Sequence, residues 1–180
     1  LEKVIIFAAR GIIYDRNKKE LAWNKRAEDL GAVPTRAYIG PGFSHLLGYV
    51  SYPTMDAKGI YWQGEFIGKD GLEKQYNDVL TGENGATIIE TDARGKKYSE
   101  NIIDSPKQGT DVVTSVDAGI QKELFSLIKG LADNSSFTGG AGIIMDVRNG
   151  EIIASTSFPE YNSEVLSLGE DKATINGYLN

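Results

Sequence analysis

The sequence predicts an α+β fold in which short β-hairpins outnumber helices. Apolar segments flank turn-forming residues at several places, as in Gly11–Trp23 around Asp15–Lys18. The strand–helix–strand alternation that builds a parallel sheet is absent from the pattern. One long amphipathic helix follows Asp117, a residue type that favours the helix N-cap. Together these observations favour hairpins packed with one or two helices.

In the N-terminal half, apolar patterning and breaker residues place each element in turn. Val4–Ala9 has the composition of a strand, and Asp70–Leu80 has apolar residues at helical spacing. A second hairpin is expected where Gly85–Glu90 and Lys97–Ile103 flank the turn-forming residues Asp92–Gly95. The less regular segments, in order, are one or two helical turns at Lys25–Leu30, a short segment at Phe43–Tyr52 that Pro53 ends, and a loop at Met55–Gly68.

In the C-terminal half, a polar loop and a third hairpin follow the helix that begins after Asp117. Gly142–Val147 and Glu151–Ser157 flank a turn in which Asn149-Gly150 favours the tight type I′ conformation. The apolar spacing of the helix predicts a buried stripe against this hairpin, made of Ile120, Leu124, Leu127, Ile128 and Leu131. A short helix is expected near Ala173–Leu179.

Composition excludes several classes of function. The 180 residues are 41% hydrophobic and 24% charged, as in an ordinary folded domain. The net charge of −6 argues against nucleic acid as a partner, because phosphate binding needs a basic face. The sequence has no cysteine and a single histidine, so no thiolate or histidine-rich metal site is expected. His45 is expected to be a structural residue held by a hydrogen bond. No apolar run approaches the roughly 18 residues of a membrane span.

Four separate segments, in the same order, resemble class B penicillin-binding proteins. They are Arg10-Gly11-Ile-Ile-Tyr-Asp15-Arg16-Asn17, followed by Leu21-Ala22 and Asn24; Arg36-Ala-Tyr38 with Ser44-His45-Leu-Leu-Gly48-Tyr49-Val50; Gly68-Lys-Asp-Gly71-Leu72-Glu73, followed by Tyr76, Leu80, Gly82 and Gly85; and Asp111–Phe158, with Asp117 and Gln121 at the start of its helix. Any one of these matches is weak, whereas four in register are specific and cover most of Arg10–Asn162.

The resemblance implies an elongated pedestal of β-hairpins that ends in a partial transpeptidase-type sheet. Residues 1–90 would be the pedestal or dimerisation domain, 91–110 a connecting hairpin, and 111–180 the truncated edge of the transpeptidase domain. The family usually carries a head subdomain between the first and second segments. Here eleven residues separate Asn24 from Arg36, so the head would be minimal or missing.

The resemblance also implies a function. The chain would be the non-catalytic part of a membrane-anchored peptidoglycan D,D-transpeptidase at the extracytoplasmic face of the bacterial cytoplasmic membrane. The catalytic serine would lie beyond Asn180 and the anchor before Leu1. Expected partners are the transpeptidase domain of the same protein, divisome or elongasome membrane proteins, and a second copy in a homodimer. No nucleic acid, cofactor, metal or catalytic residue is expected in this chain.

Four charged residues lie beside predicted strand or helix starts: Arg10, Asp15, Arg16 and Glu73. Charged side chains are rarely buried unless they are paired, so these form either a network of arginine–carboxylate contacts or a solvated rim. The resemblance favours the network. Because Gly11 and Gly71 permit close approach of the backbone, we expect Arg10 and Glu73 to meet.

Two rival functions come from other classes. Ser126-Leu-Ile-Lys129 matches the S-x-x-K motif of penicillin-recognising enzymes, which would make the chain a stand-alone serine hydrolase. The motif lies mid-helix and its companion motifs are absent, so we expect a coincidence. The other rival is an extracytoplasmic adaptor that recognises peptides on a sheet edge. Separately, Tyr61, Trp62 and Phe66 form either a peptide groove or a satellite core, and the satellite core is the favoured interpretation.

Overall fold

The computed structural model describes residues 2–25, 32–91 and 97–179. Its strands are β1 (Glu2–Ile6), β2 (Ile13–Tyr14), β3 (Glu20–Lys25), β4 (Thr35–Tyr38), β5 (Val50–Ser51), β6 (Thr54–Met55), β7 (Tyr61–Gln63), β8 (Ile67–Gly68), β9 (Gly85–Thr91), β10 (Lys97–Asp104), β11 (Val112–Val113), β12 (Gly140–Met145) and β13 (Ile152–Phe158). Its helices are α1 (Ser44–Leu47), α2 (Gly71–Gln75), α3 (Asn77–Leu80), α4 (Ala118–Asn134), α5 (Ser163–Leu168) and α6 (Lys172–Leu179). The predicted α+β class is confirmed. None of the described helices is long and apolar enough to cross a bilayer.

The main core lies against a four-stranded sheet with the order β11-β2-β3-β4. The predicted hairpin of β2 and β3 is present, and the carboxylate of Asp15 fixes its turn by accepting the backbone N–H groups of Asn17 and Lys19. Strand β11 runs parallel to β2 and so brings residues far apart in sequence together. The buried apolar side chains of this core are Ile13, Leu21, Ala22, Phe43, Leu47, Leu80 and Ala118.

A separate three-stranded antiparallel sheet has the order β1-β9-β10. Val4 lies opposite Thr87, which lies opposite Ile102 on the edge strand. The two strands of the second predicted hairpin are therefore confirmed. The predicted turn at Asp92–Gly95 lies outside the described residues. Most of the predicted helical segment at Lys25–Leu30 also lies outside them, since Lys25 is the last residue of β3.

Helix α4 packs on the hairpin of β12 and β13. Asp117 is its N-cap, as predicted, and its carboxylate accepts the backbone N–H groups of Gly119 and Ile120. Leu124 and Ile128 contact β12 where the strand carries glycine. A Cβ atom at Gly142 would lie 3.1 Å from Leu124, so the small residue lets helix and hairpin approach closely.

The buried stripe predicted for α4 is only partly right. The buried residues of this helix are Ala118, Gln121, Phe125 and Ala132. Leu124 and Ile128 are half-buried, whereas Ile120, Leu127 and Leu131 are exposed, the last two by 58% and 63%. Apolar spacing locates apolar faces on a helix but does not tell which face has a partner within the chain.

Three further segments differ from the sequence-based expectation. The predicted helix at Asp70–Leu80 is two short helices that meet at Tyr76, and Tyr76 is exposed. Phe43–Tyr52, for which the sequence predicted no defined element, holds α1 and β5. Met55–Gly68 is not simply a loop, because β7 and β8 form small antiparallel pairs with β6 and β5. Helix α5 has no counterpart in the predicted elements.

The turn between β12 and β13 is also longer than predicted. A type I′ turn needs positive φ at both central residues, but Gly150 (φ 79°) has it and Asn149 does not. The carbonyl of Asp146 accepts the N–H of Gly150 at 2.8 Å, and the N–H of Asp146 donates to Glu151 at 2.9 Å. Asp146 and Glu151 thus close a four-residue connection.

Substitution of Phe125 tests which face of α4 packs against the rest of the protein. The ring is 6% exposed and lies edge-on to Phe158, with centroids 6.0 Å apart. Phe125→Ala should lower the free energy of unfolding by about 3–5 kcal/mol, because it leaves a cavity at this contact. Leu127→Ala, on the exposed face, should cost less than about 1 kcal/mol. Urea denaturation of both variants checks this, and equal effects would contradict the assignment of faces.

Candidate functional site

Glu73 is a buried carboxylate in the first turn of α2, and two arginines bind its two oxygens. Arg10 Nε donates to Glu73 Oε2 at 2.6 Å, and Arg36 Nε donates to Oε1 at 2.7 Å. None of the three side chains is more than 1% exposed. The predicted contact of Arg10 with Glu73 is confirmed, and Arg36 on β4 completes what we term the Arg–Glu–Arg cluster: Arg10, Arg36 and Glu73.

The remaining N–H groups of Arg10 hold the helices that follow Glu73. Nη1 donates to Thr81 Oγ1 at 2.8 Å, and Nη2 donates to the Glu73 carbonyl at 2.9 Å and to Asn77 Oδ1 at 3.1 Å. Burial lowers the pKa of Arg10, and the adjacent Glu73 carboxylate opposes that shift. One arginine therefore joins the chain before β2 to both α2 and α3.

Arg36 connects the cluster to the central sheet. Its Nη1 donates to Asn24 Oδ1 at 3.2 Å, and Asn24 Nδ2 donates to the Arg10 carbonyl at 2.6 Å. The second terminal nitrogen of Arg36 is buried and has no hydrogen-bond partner among the described residues. Two guanidinium groups share one carboxylate, so the cluster carries an excess positive charge within the protein.

Two glycines let α1 and α2 approach closely enough to place Glu73. Gly48 (φ 76°) and Gly71 (φ 56°) have left-handed backbone that other residues rarely adopt. A Cβ atom at Gly48 would lie 1.9 Å from the Asp70 carbonyl oxygen, and one at Gly71 would lie 2.5 Å from the Gly48 nitrogen. Gly11, the third predicted glycine, donates its N–H to the Leu80 carbonyl at 2.8 Å.

Asp15 and Arg16 lie outside the Arg–Glu–Arg cluster, so the part of the predicted network that includes them is wrong. Asp15 is 2% exposed and accepts the N–H of Ala118 at 3.2 Å, which ties the first hairpin to the start of α4. Arg16 pairs with Glu151 at 3.2 Å on the surface. The backbone thus satisfies Asp15, and no arginine is needed.

Asp117 and Asn17 make a further contact between the first hairpin and α4. Asn17 Nδ2 donates to Asp117 Oδ2 at 2.9 Å. The N–H of Ile120 and then the Asn17 amide hold the pKa of Asp117 below its ordinary value. The cap is therefore a charged acceptor at neutral pH, which the helix dipole also favours.

A second polar contact, which we term the junction, involves Gly42, Ser44, Gln121, Thr156 and Glu160. The Gly42 carbonyl accepts from Gln121 Nε2 at 2.7 Å and from Thr156 Oγ1 at 2.9 Å. The Glu160 carboxylate accepts the N–H groups of Gly42 at 2.6 Å and Ser44 at 3.1 Å. Gln121 is fully buried and also exchanges two hydrogen bonds of 2.7 Å with the backbone of β13. The junction thus fastens the chain before α1 to α4 and β13.

Several residues of the cluster and the junction were not predicted as site residues. Asn77 and Thr81 complete the coordination of Arg10, and Thr156 and Glu160 complete the junction. These residue types occur throughout any polar surface, so their spacing gives no signal. Asn24 alone could have been found, because it lies within the first segment of the family resemblance.

In the S-x-x-K tetrapeptide, the serine and the lysine each contact another residue of α4. Ser126 Oγ donates to the Lys122 carbonyl at 3.0 Å within α4, and Lys129 pairs with the Asp133 carboxylate. The hydroxyl and the amine are thus each bound to other groups on the helix. A nucleophile needs its base within hydrogen-bond reach, and the contacts here serve the helix surface instead.

The lone histidine and the three aromatic residues have structural surroundings. His45 Nδ1 lies 2.9 Å from Ser157 Oγ, which matches the expected structural hydrogen bond. Phe66 is buried, and the Tyr61 ring packs edge-on against the Phe7 ring. Trp62, in contrast, is 69% exposed. The predicted satellite core therefore includes two of the three aromatics.

Residues 29–114 match the family described as the penicillin-binding protein dimerisation domain. The chain is 32% identical over 142 residues to peptidoglycan D,D-transpeptidase MrdA of Acinetobacter baumannii, an alignment that covers 75% of this chain and 20% of that protein. The chain carries a penicillin-binding protein dimerisation domain. The resemblance of its four segments to class B penicillin-binding proteins is thereby confirmed.

Solved structures of penicillin-binding proteins have the same fold. Penicillin-binding protein 2X of Streptococcus thermophilus aligns with a TM-score of 0.71 at 21% identity, over 95% of this chain and 37% of that chain. PBP2 of Helicobacter pylori, solved in complex with MreC, aligns with a TM-score of 0.62 at 22% identity, over 99% and 48%. The chain spans about a fifth of the length of the curated relatives that it matches.

A test of the Arg–Glu–Arg cluster removes the negative charge of Glu73. Glu73→Gln keeps the shape but leaves two buried guanidinium groups without a counter-charge, which should cost about 3–5 kcal/mol of unfolding free energy. The triple variant Arg10→Met, Arg36→Met, Glu73→Leu should be less destabilised than Glu73→Gln, because no buried charge is stranded.

Arg16→Gln is the matched control, because it breaks an exposed ion pair that should contribute at most about 1 kcal/mol. Urea denaturation at neutral pH gives all three free energies. A loss at Glu73→Gln no larger than that at Arg16→Gln would contradict the dependence of the fold on this carboxylate.

Proposed function

We propose that this chain is the non-catalytic pedestal of a membrane-anchored peptidoglycan D,D-transpeptidase, with residues 111–180 as the edge of the transpeptidase domain. Residues 1–90 form the pedestal in this proposal, and residues 91–110 connect the two. The match to the dimerisation domain and the name of the Acinetobacter relative support a role in peptidoglycan synthesis. The pedestal would carry the catalytic domain at a fixed position above the outer face of the cytoplasmic membrane.

One observation carries the proposal: α4 and the hairpin of β12 and β13 each leave large apolar side chains exposed among the described residues. On α4, Leu127 and Leu131 are exposed by 58% and 63%. On the hairpin, Ile143, which lies on the face opposite α4, and Val147 in the turn are exposed by 68% and 86%. Large exposed apolar surfaces mark places where another protein surface packs. We infer that the transpeptidase domain of the same polypeptide is that surface, because both elements lie in the segment that resembles its edge.

The junction explains how a pedestal could position such a domain. Gln121, Thr156 and Glu160 belong to the proposed transpeptidase edge, and all three bind the backbone of residues 42–44. These groups are largely buried, so hydrogen bonds there are stronger than in water. Movement of the pedestal would therefore be transmitted to α4 and β13 through backbone contacts.

Partners follow from the same role. The Helicobacter pylori PBP2 was solved with MreC, and we propose that membrane proteins of the elongasome or divisome contact this pedestal as well. The matched family is described as a dimerisation domain, which supports a homodimer as a further part of the proposal. Localisation at the extracytoplasmic face of the membrane is part of the proposal.

Reaction with labelled penicillin distinguishes the pedestal from a stand-alone hydrolase. The 180-residue chain should remain unlabelled, because Ser126 and Lys129 are bound to other groups of α4. Ser126→Ala should give the same result. A stoichiometric adduct that disappears in Ser126→Ala would overturn the proposal in favour of the hydrolase.

The exposed apolar surface provides the second arm of this experiment. Leu127→Glu and Leu131→Glu together should leave the unfolding free energy of this chain within about 1 kcal/mol, because both side chains are already exposed. In a longer polypeptide that joins this sequence to a penicillin-binding domain, the same pair should reduce labelling or soluble yield severalfold. Lys122→Glu, elsewhere on α4, is the control for added charge. Unchanged labelling in the double variant would contradict the proposed packing.

A further inference from the structure

The chain between β13 and α6 is fastened to residues of the proposed pedestal. Both oxygens of the Glu160 carboxylate accept backbone N–H groups, those of Gly42 and Ser44. Further along, the N–H of Val50 on β5 donates to Ser167 Oγ on α5 at 3.2 Å. Because these contacts extend from residue 160 to residue 167, the pedestal determines the direction in which the chain leaves α5.

Tyr161 adds a contact to the helix that carries Glu73. Its hydroxyl lies 2.9 Å from Asp70 Oδ2 and 3.1 Å from the Ser44 carbonyl oxygen, so two acceptors share its single proton. Asp70 is the residue directly before α2. Burial, and then the hydrogen bond to the Asp70 carboxylate, raise the pKa of Tyr161, so the hydroxyl stays protonated and donates at neutral pH.

The Tyr161 ring lies among three other aromatic rings. The rings of His45 on α1 and Tyr49 shortly after it lie edge-on to the Tyr161 ring, with centroids 4.9 and 5.9 Å away. The ring of Tyr178 on α6 also lies edge-on, at 6.5 Å. All three separations are in the range of favourable aromatic pairs. One side chain therefore contacts both the proposed pedestal and α6.

Helix α6 needs such contacts for its orientation. It spans 8 residues, a length at which an isolated helix is marginal in water. The Asp171 carboxylate accepts the N–H of Thr174 at 3.0 Å, which fixes where the helix begins but not how it lies on the protein. Contacts with α5 and with the Tyr161 ring orient it.

We propose that Tyr161 is a positioning residue for the transpeptidation reaction of the longer protein. This role rests on the proposed function, in which the catalytic serine follows residue 180. The hydroxyl holds the ring against Asp70 and Ser44, the ring holds α6, and α6 sets where the chain towards the serine begins. Tyr161 itself touches no reacting atom. Loss of the hydroxyl should therefore displace the serine and leave the contacts of a bound ligand unchanged.

A first experiment uses the 180-residue chain alone and measures the docking of α6 by NMR. Tyr161→Phe keeps the ring and removes the hydroxyl, so the nuclear Overhauser effect between the rings of residues 161 and 178 should weaken severalfold. The effect between the rings of Phe125 and Phe158, whose centroids lie 6.0 Å apart, should not change and reports on the rest of the fold. Tyr98→Phe, at a side chain that is 83% exposed, is the matched control and should change neither effect. An unchanged effect between residues 161 and 178 in Tyr161→Phe would overturn the proposal.

A second experiment uses a longer polypeptide that joins this sequence to a penicillin-binding domain. Acylation by labelled penicillin at several concentrations separates the noncovalent dissociation constant from the rate constant of acylation. Tyr161→Phe should lower the rate constant severalfold and leave the dissociation constant unchanged, because a misplaced catalytic group slows the reaction even when the ligand is held as before. Tyr98→Phe should change neither constant.

Asp70→Ala tests whether the hydroxyl acts through its contact with Asp70. It should lower the rate constant by less than Tyr161→Phe does, since the Ser44 carbonyl remains as an acceptor. In the Tyr161→Phe background it should have no further effect, because the contact is already lost. Equal slowing by Asp70→Ala in both backgrounds would overturn the proposal.

The acylation measurements also separate the role of Tyr161 from the proposed function. If the unaltered longer polypeptide is not acylated, the proposed function is wrong, and the role of Tyr161 in the reaction is wrong with it. If it is acylated and Tyr161→Phe reacts with the same rate constant, or differs only in the dissociation constant, the role of Tyr161 alone is overturned.

Discussion

The Glu73 carboxylate is shared by two arginines from distant parts of the chain, and the N-terminal half is organised around that contact. Arg10 precedes β2, Arg36 lies on β4 and Glu73 begins α2, so no one of them can be buried at acceptable cost until the other elements are in place. Asn24, Asn77 and Thr81 then accept further N–H groups of the two arginines. The cluster therefore specifies one arrangement of sheet and helices.

This requirement explains how such short strands and helices form a stable fold. Many strands here have two or three residues and most helices span one or two turns, lengths that are marginal on their own. Close backbone contacts, such as those at Gly48 and Gly71, replace long elements by bringing their ends together. The buried charges add directionality that apolar packing lacks, since each N–H of a guanidinium group must point at one acceptor.

The hairpins, the Asp117 cap and the meeting of Arg10 with Glu73 could be predicted from sequence. Turn-forming residues, capping chemistry and a resemblance in four segments identify local structure and one long-range pair. The role of Asp15 could not be predicted, because its partners are backbone N–H groups that any residue supplies. The exposed face of α4 was assigned incorrectly for a related reason. Leucine is a typical core residue, so the sequence alone predicts that Leu127 and Leu131 are buried. Only the tertiary structure tells whether another part of this chain packs against them.

The two sides of the junction differ in how strongly the contact restricts their sequence. On the side of residues 40–44 the contacting groups are backbone N–H and C=O groups, which survive most substitutions. Gly42 is the exception, because at φ 95° a Cβ atom there would lie 2.9 Å from Phe125. On the other side, Gln121 must donate and accept at once and Glu160 must accept two N–H groups, so neither can be replaced without leaving a buried group unpaired. The specificity of the contact therefore lies in α4 and in the chain after β13, and the loop before α1 contributes shape.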